Sequence, residues 1–438
     1  MLDIQFIRDN PELVQEKSEQ KGYKVDIRQL LELDAQRRTK LTSVEELRAR
    51  RNALSGELKK GKPTPEQIEQ GKQLKEEIAN LEAELGPLEE DYEKLLKAVP
   101  NMPLEDVPIG ASEDENVIAK QSGTLPAWDF TPKGHHEILE PRDMLDKERA
   151  AKISGSRFAY LKGDLVLLQF AIVQFVMQTL GDEKVLQQLI TENNLDLVAK
   201  PFTPVLPPAM LRTEPYVASA RLNAEEVTYR AGQPEDDLWL NASAEHTLCT
   251  MYWNEVLPED MFPIRYIGYS TSFRREAGTY GKDTEGIIRM HQFDKLEMEV
   301  FSTPETGLDE HLLMVAIQEY LVRQLNLPYQ VLQKCTFDIG KPNARGIDIE
   351  VWFPGQNKGQ GKYRETHTAD YMTDYQARDL KIRVKRSNGD TQLVHTNDAT
   401  AFALGRIMAA IVENYQTKDG HVIIPEVLRP YIQGRTQI

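Results

Sequence analysis

Three stretches of the chain gather side chains that a folded core has no use for. The first runs from Phe273-Arg274-Arg275-Glu276, through Gly278 and Gly281, to Arg289-Met290-His291-Gln292-Phe293-Asp294-Lys295-Leu296-Glu297. It reads as strand, glycine-bearing loop, strand. Side chains alternate across a strand, so the return strand is expected to set Arg289, His291, Phe293, Lys295 and Glu297 on one face. Cations, a flat ring and an acid on one face suit a binding site better than a core. Arginine grips phosphate through paired hydrogen bonds, and an aromatic ring stacks on a base. A surface hairpin with paired charges is the alternative. The second stretch is Tyr363-Arg364-Glu365-Thr366-His367-Thr368-Ala369-Asp370, followed by Asp374-Tyr375-Gln376-Ala377-Arg378. The third is His395-Thr396-Asn397-Asp398-Ala399-Thr400-Ala401-Phe402-Ala403-Leu404-Gly405-Arg406, leading into an apolar helix expected over Ile407 to Tyr415. Small residues ahead of that helix would let a ligand approach its N-terminal end. Arg406, inside an otherwise apolar run, needs an anionic partner, a triphosphate or a carboxylate.

Other chemistry falls away. Lys358-Gly359-Gln360-Gly361-Lys362 resembles a phosphate loop only superficially, because Gln356 stands where the first glycine is required and Tyr363 replaces the Ser/Thr. A flexible loop is expected there. There is no GxGxxG and no HExxH, and the adjacent His135-His136 has no nearby partner for a metal.

The elements that position these residues are legible from pattern. The chain has 438 residues, room for two or three domains, with 40% hydrophobic and 28% charged residues, as in a folded soluble protein. From about residue 120 the composition is mixed, with β-rich runs such as Asp348 to Phe353 and helical patterns such as Leu308 to Leu325. Earlier, Ile78, Leu81, Leu85, Leu88, Tyr92, Leu95 and Val99 alternate spacings of three and four, a heptad seam. Leu33, Leu47 and Leu54, with Val44 and Leu58, form a looser one. Between them, Lys59-Lys60-Gly61-Lys62-Pro63-Thr64-Pro65 cannot continue a helix. An antiparallel helical hairpin is expected, with arms of about 30 residues and roughly 45 Å. Residues 35–62 hold nine Lys/Arg against three acids, a net of +6, and residues 64–97 hold four against ten, a net of −6. Either the helices salt-bridge one another, or a basic rod reaches along a phosphate backbone. Pro100-Asn101-Met102-Pro103 then marks a boundary, giving a helical domain over 1–102 and a larger one over 103–438.

The formal net charge of −16 argues against coating nucleic acid or membrane by bulk charge. It leaves room for a local basic surface. Two cysteines, Cys249 and Cys335, are too few for a disulfide framework and point to a reduced intracellular compartment, the cytoplasm. The N-terminus lacks an apolar core and a cleavage pattern, so no signal peptide is expected. Leu165 to Leu180 is the most apolar stretch. Gln169, Gln174 and Gln178 interrupt it, and it reads as a buried helix rather than a membrane span.

The motif-bearing segments resemble motifs 2 and 3 of class II aminoacyl-tRNA synthetases, and in detail the bacterial type of the seryl-tRNA synthetase family. The resemblance covers nearly the whole chain. It begins at MLDIQFIRDNPELV and passes through Lys152 to Phe158 and Val205-Leu206-Pro207-Pro208, which ends motif 1. It closes with Glu413-Asn414-Tyr415-Gln416 and Pro425 to Tyr431. It implies an α+β fold, an antiparallel sheet flanked by helices with an N-terminal antiparallel coiled-coil arm. It implies a homodimer joined through motif 1. It also implies that the arm holds the long variable arm of the serine tRNA, which gives Arg37, Arg38, Arg48, Arg50, Arg51, Lys59, Lys60 and Lys62 a purpose. Neither membrane nor DNA is an expected partner.

The activity implied is conversion of serine and ATP to seryl-adenylate, then transfer of serine to the 3′ end of the tRNA. By the same resemblance Arg274 grips the α-phosphate, Glu276 lies at the adenine end and Phe293 stacks on adenine with Arg406 on the other face. Arg289 holds the γ-phosphate and Glu365 binds Mg²⁺, leaving Arg274, Glu365 and Arg406 as the expected catalytic set. For serine itself the matches are Ser243, Glu245, Glu297, Thr368, Asp398 and Thr400, with Arg274. The chain departs from the family pattern at Asp398, where asparagine is usual, at His367-Thr368-Ala369-Asp370-Tyr371, and at Asp379, where a second arginine is usual. The alternatives are a class II-like ligase that loads another small amino acid on a carrier protein, and a non-catalytic coiled-coil scaffold. The long arm opposes the first, and retention of the six ATP-site residues opposes the second.

Overall fold

The computed structural model describes residues 1–58, 64–222, 228–276 and 285–438. It divides into two compact units, Met1–Met102 and Pro103–Ile438.

In the first unit two long helices, α1 (Ile27–Leu58) and α2 (Pro65–Ala98), pack against each other. Helix α2 starts where the sequence stops the previous helix. Thr64 accepts from Gln67 N at 3.3 Å while Gln67 Oε1 accepts from Thr64 N at 3.0 Å, a reciprocal cap, and Pro65 occupies the first turn, where its missing N–H costs nothing. The seam buries Leu74, Ile78, Leu85, Tyr92 and Leu96 from α2 against Leu30, Val44 and Leu54 from α1. The cross-helix ion pairs run antiparallel: Arg37–Glu89 at 3.4 Å, Lys40–Glu84 at 2.5 Å and Arg48–Glu82 at 2.7 Å. Arg37 also lies over the Tyr92 ring, and Arg38 pairs with Asp34 one turn back. Salt bridging thus engages two of the eight basic residues named for RNA, Arg37 and Arg48, across the hairpin and a third, Arg38, within α1. Arg50 and Arg51 are exposed and form no ion pair among the described residues. Lys59, Lys60 and Lys62, with the expected turn, lie outside the described residues.

The second unit is built on eight strands: β1 (Val117–Ser122), β2 (Thr203–Val205), β3 (Ile264–Phe273), β4 (Gln292–Ser302), β5 (Tyr329–Gln333), β6 (Arg345–Phe353), β7 (Lys362–Thr373) and β8 (His395–Ala403). Their order is β1-β5-β6-β7-β8-β4-β3-β2, antiparallel throughout except for the β2–β3 pair. One face packs on helices α3 (Asp164–Leu180), α5 (Gly307–Gln324) and α6 (Leu404–Asn414), and a short helix, α4 (Ala244–Leu248), packs against β3 and β4. The core between sheet and helices takes Leu296, Met298 and Phe402 from strands and Ile172, Met314, Ile317 and Met408 from helices. The residues over 356–361, where a loop was expected, form a tight turn with Asn357 and Lys358 at φ of 53° and 58° and feed directly into β7. In α3, Leu168, Ile172, Phe175 and Val176 are buried as expected, while Leu167 and Phe170 are exposed. Among the described residues no single helix is long and apolar enough to cross a membrane.

A fully buried ion pair ties the start of β3 to α5. Arg265 donates through Nε and Nη2 to Glu310 at 2.8 and 2.7 Å, and through Nη1 to the carbonyls of Val198 and Lys200. Removing one partner strands the other charge in the core. Arg265→Met is expected to lower unfolding free energy by about 3–5 kcal/mol in urea titration. A loss under about 1 kcal/mol would show that the pair is dispensable.

Candidate active site

Along β4, Leu296, Met298 and Val300 join the core, so alternation turns Phe293, Lys295, Glu297 and Glu299 to the opposite face. Register extends that face across the neighbours. Glu297 stands opposite Thr400 and Glu299 opposite Asp398, after a bulge at Leu296/Glu297. Asp398 in turn stands opposite Asp370 on β7. Helix α4 lies close over β3 because residue 268 is glycine: a Cβ there would meet Leu248 Cδ1 at 2.7 Å. The expected alternation from Arg289 onward is corrected here. Strand β4 begins at Gln292, so Arg289 and His291 precede it. His291 instead braces the arginine: its Nδ1 donates to the Arg274 carbonyl at 2.9 Å, and Arg274 N donates to the His291 carbonyl at 2.9 Å.

A cavity of about 110 Å³ at this face is lined by Arg274, Glu276, Arg289, Phe293, Glu365 and Arg406, and it also meets Lys295, Thr368 and Thr400. All six residues assigned to ATP therefore converge. Their charges are paired off within the cavity. Arg406 donates to the Glu365 carbonyl and pairs with its carboxylate, both at 2.9 Å. Arg289 lies 3.3 Å from Glu276, whose backbone holds φ at +52°. The Arg274 guanidinium, rather than that of Arg406, covers the Phe293 ring, 5.3 Å from its centroid. Its Nε donates to the Ala242 carbonyl at 3.1 Å. Crowding disfavours charge on Glu365, yet Arg406, then Lys334 and Arg274, outweigh it and hold the carboxyl below its ordinary range. A wider groove of about 940 Å³ in the first unit, along Pro11 to Ala35, sets five acids around Arg28 and offers no such convergence.

The other end of the face is acidic. Lys295 Nζ lies 2.5 Å from Glu297, and the Thr400 hydroxyl lies 3.4 Å from both Glu297 oxygens. Burial and the nearby Glu245 push Glu297 up to about 7 despite Lys295. Glu245, Glu297 and Asp398 bring oxygens within 4.8 Å of one another. Arg221 pairs with Glu245 and Asp398, and Lys295 pairs with Glu297, so two cations offset part of the charge of the trio. Burial, the largest single influence, would raise Glu245, but Arg221 together with His246, Lys295 and Arg274 outweighs it and sets the carboxyl at about 2. Ser243 is buried and caps α4, accepting from Glu245 N at 3.3 Å, so the hydroxyl expected to read serine is engaged with its own helix.

Two family models match: the tRNA synthetase class II core domain (G, H, P, S and T) over residues 229–415, and the seryl-tRNA synthetase N-terminal domain over residues 1–103. A serine–tRNA ligase of Nitrosopumilus maritimus is 36% identical over the full length of both chains. One of Thermodesulfovibrio yellowstonii is 38% identical over 99% of each. The chain belongs to the seryl-tRNA synthetase family. Among solved structures, the seryl-tRNA synthetase of Pyrococcus horikoshii complexed with ATP superposes with a TM-score of 0.85 at 36% identity, covering 100% of this chain and 99% of that one. The cytoplasmic serine–tRNA ligase of Naegleria fowleri in complex with AMP superposes at 0.83 and 27% identity, covering 100% and 98%.

For a seryl-tRNA synthetase fold, three residues at the acidic end escaped the sequence reading. Arg221 pairs with Asp398 at 2.5 Å and with Glu245 at 2.6 Å. His246 is held neutral by burial, at about 3, and its Nδ1 accepts from Tyr216 Oη at 2.7 Å and Ala242 N at 3.2 Å, which leaves Nε2 facing Glu245 at 3.6 Å. Lys295 was placed on the correct face but given no role. His135 does find a partner: Nδ1 donates to Glu413 at 2.8 Å and Nε2 accepts from Ile287 N at 3.0 Å, tying the motif 3 helix to the end of the motif 2 loop. Only the His246 signal was local, one residue after Glu245.

Proposed function

We propose that the chain is an ATP-dependent serine–tRNA ligase, forming seryl-adenylate and then transferring serine to the 3′ end of serine tRNA. One observation carries the reading: a single sheet face runs without interruption from an arginine-and-phenylalanine cavity to a carboxylate-and-hydroxyl floor. A polyphosphate with a flat base suits the first end and a small amino acid with an ammonium suits the second. In the first step a serine carboxylate oxygen attacks the α-phosphorus and pyrophosphate leaves. In the second a ribose hydroxyl of the tRNA attacks the seryl carbonyl and AMP leaves. Both partners of the first step are anionic, so positioning and charge cancellation carry the rate. Arg274 cancels charge where the two anions meet, Arg289 takes the γ-phosphate, and Arg406 and Phe293 flank the adenine. Phosphate oxygens would replace the carboxylates that now occupy Arg289 and Arg406. Glu276 then serves the adenine end, and Glu297, Glu245, Thr368, Thr400 and Asp398 receive serine.

Glu365 fits Mg²⁺ because it offers a half-exposed, ionised oxygen donor inside the phosphate cavity. When bound, the ion supplies positive charge to the polyphosphate. We also propose a homodimer through motif 1, since Leu167 and Phe170 leave apolar surface open on α3. The cytoplasm is the proposed location. The hairpin is proposed to grip the tRNA, with Arg50 and Arg51, exposed and without an ion pair among the described residues, offered to its phosphates.

Serine is expected to drive exchange of pyrophosphate into ATP better than threonine, alanine or cysteine. A stronger signal with any of the three overturns the serine assignment. Serine's ammonium needs an ionised Glu297, whose carboxyl titrates at about 7. Below that pH the proton neutralises it, so kcat/KM for serine is expected to fall roughly fivefold from pH 7 to 6 and to approach about tenfold per unit below pH 6. Glu297→Gln is expected to flatten that limb at a much lower level, and a limb that persists would move the titration elsewhere. For the arm, Arg50→Glu with Arg51→Glu is expected to raise KM for tRNA by about tenfold or more while leaving pyrophosphate exchange unchanged. Equal loss in both assays would contradict a tRNA role confined to the arm.

A further inference from the structure

The acidic end of the site contains a unit that no motif describes. Arg221 Nη2 donates to Asp398 Oδ2 at 2.5 Å, its Nε lies 2.6 Å from Glu245 Oε1, and Asp370 Oδ2 lies 3.9 Å away. The arginine is 15% exposed and Asp398 is 2% exposed. It comes from outside the sheet, three residues after the short helix Thr213–Ala218. Its backbone is nonetheless tied to the strand it reaches. Ser219 O accepts from Gln376 Nε2 at 2.9 Å, and Gln376 Oε1 accepts from Thr396 Oγ1 at 2.7 Å, two residues before Asp398 on β8. Lys295 is committed to Glu297, so Arg221 is the cation left for Asp398 and Glu245 among the described residues. The other Asp398 oxygen, Oδ1, is buried and has no partner among the described residues.

We propose that Arg221 is a positioning residue for amino-acid specificity, holding Asp398 by Oδ2 and Glu245 by Oε1 so that Asp398 Oδ1 is presented as the acceptor for the substrate's hydroxyl. The proposal rests on the serine reading of this site. Burial and the neighbouring acids raise Asp398 while Arg221 opposes them; with Oδ2 held by the guanidinium, Oδ1 is the open acceptor, and alanine would leave it buried and unpaired, which is the asymmetry that rejects a substrate lacking the hydroxyl. Asparagine presents the same shape but carries no charge, so it has no need of an arginine. The Asp398 departure and Arg221 are therefore two halves of one device.

The test is a double-mutant cycle on the full chain with R221Q, D398N and the R221Q/D398N pair, read by serine-dependent pyrophosphate exchange. Each single variant is expected to raise KM for serine by about 10–100-fold and to lower the serine-over-alanine ratio of kcat/KM, with KM for ATP within about twofold of the unaltered protein. The double variant, which joins two neutral amides, is expected to recover at least about tenfold of the loss in serine KM. Losses that multiply in the double variant, a parallel rise in both KM values, or an unchanged serine-over-alanine ratio would each overturn the proposal. Should R221Q fail to fold, D398N against the double variant still decides: a D398N protein that matches the unaltered one in serine KM and discrimination overturns it. Absence of serine-dependent exchange in the unaltered protein would instead overturn the functional reading itself.

Discussion

Like charges crowded on one face of a buried sheet repel, and the structure around the site answers that repulsion. Glu297, Glu299, Asp370 and Asp398 stand on three adjacent strands, and Glu245 faces them from α4. At the short separations here, carboxylates in a weakly polar interior cannot all be charged and uncompensated. The fold uses three remedies. A cation from the same face, Lys295, pairs with Glu297. A cation from outside the sheet, Arg221, bridges Glu245 and Asp398. Glu299 takes the third course. It is fully buried, neither oxygen has a partner among the described residues, and burial with Asp398 and Glu245 nearby drives it far up, so it persists as the neutral acid.

This charge problem explains the order of the face. Arginines gather where a polyphosphate would lie, acids gather where an ammonium would lie, and Arg274 stands between, beside Phe293. An amino acid is zwitterionic, so only one orientation puts its ammonium among the acids and its carboxylate toward Arg274. The sheet thereby fixes the direction of attack. In the proposed function the ion pairs Arg406–Glu365 and Arg289–Glu276 keep the cations paired with carboxylates that phosphate would displace. Such pairs hold side-chain geometry at little net energy, and exchange is then a swap of anions rather than the desolvation of a bare charge.

What could be read in advance follows from sequence distance. The strands at Asp348 to Phe353 and at His395 to Ala403, the helix after Arg406 and the α2 seam all rest on periodicities of two or near three and a half, which are local. That Arg274, Glu276, Arg289, Phe293, Glu365 and Arg406 line one cavity was legible because they sit in three short, dense segments. Arg289 and His291 were placed in a strand because alternation continues on paper, whereas β4 starts only where pairing with Phe273 begins. Ser243 caps α4 by accepting from Glu245 N, which leaves its O–H able to donate. Arg221 was invisible. Its partner Asp398 is 177 residues away, and the run Ala220-Arg221-Leu222 has no pattern that marks a site.

The net charge of −16 belongs to the same argument. Acids predominate overall, yet the hairpin does not average its charge away: α2 carries the acids and α1 the cations, and the ladder Arg37–Glu89, Lys40–Glu84, Arg48–Glu82 consumes part of the excess. Exposed pairs of this kind contribute at most about 1 kcal/mol each, so they register the helices more than they stabilise them. Among the described residues they leave Arg50 and Arg51 as adjacent exposed cations without an ion pair. At physiological ionic strength opposed charges more than about 8 Å apart are screened from each other, so the acidic remainder neither cancels these cations nor adds to them. A nucleic acid meeting such a protein finds attraction at one place and repulsion across most of the rest, which favours a partner with phosphates arranged to match over any polyanion at large.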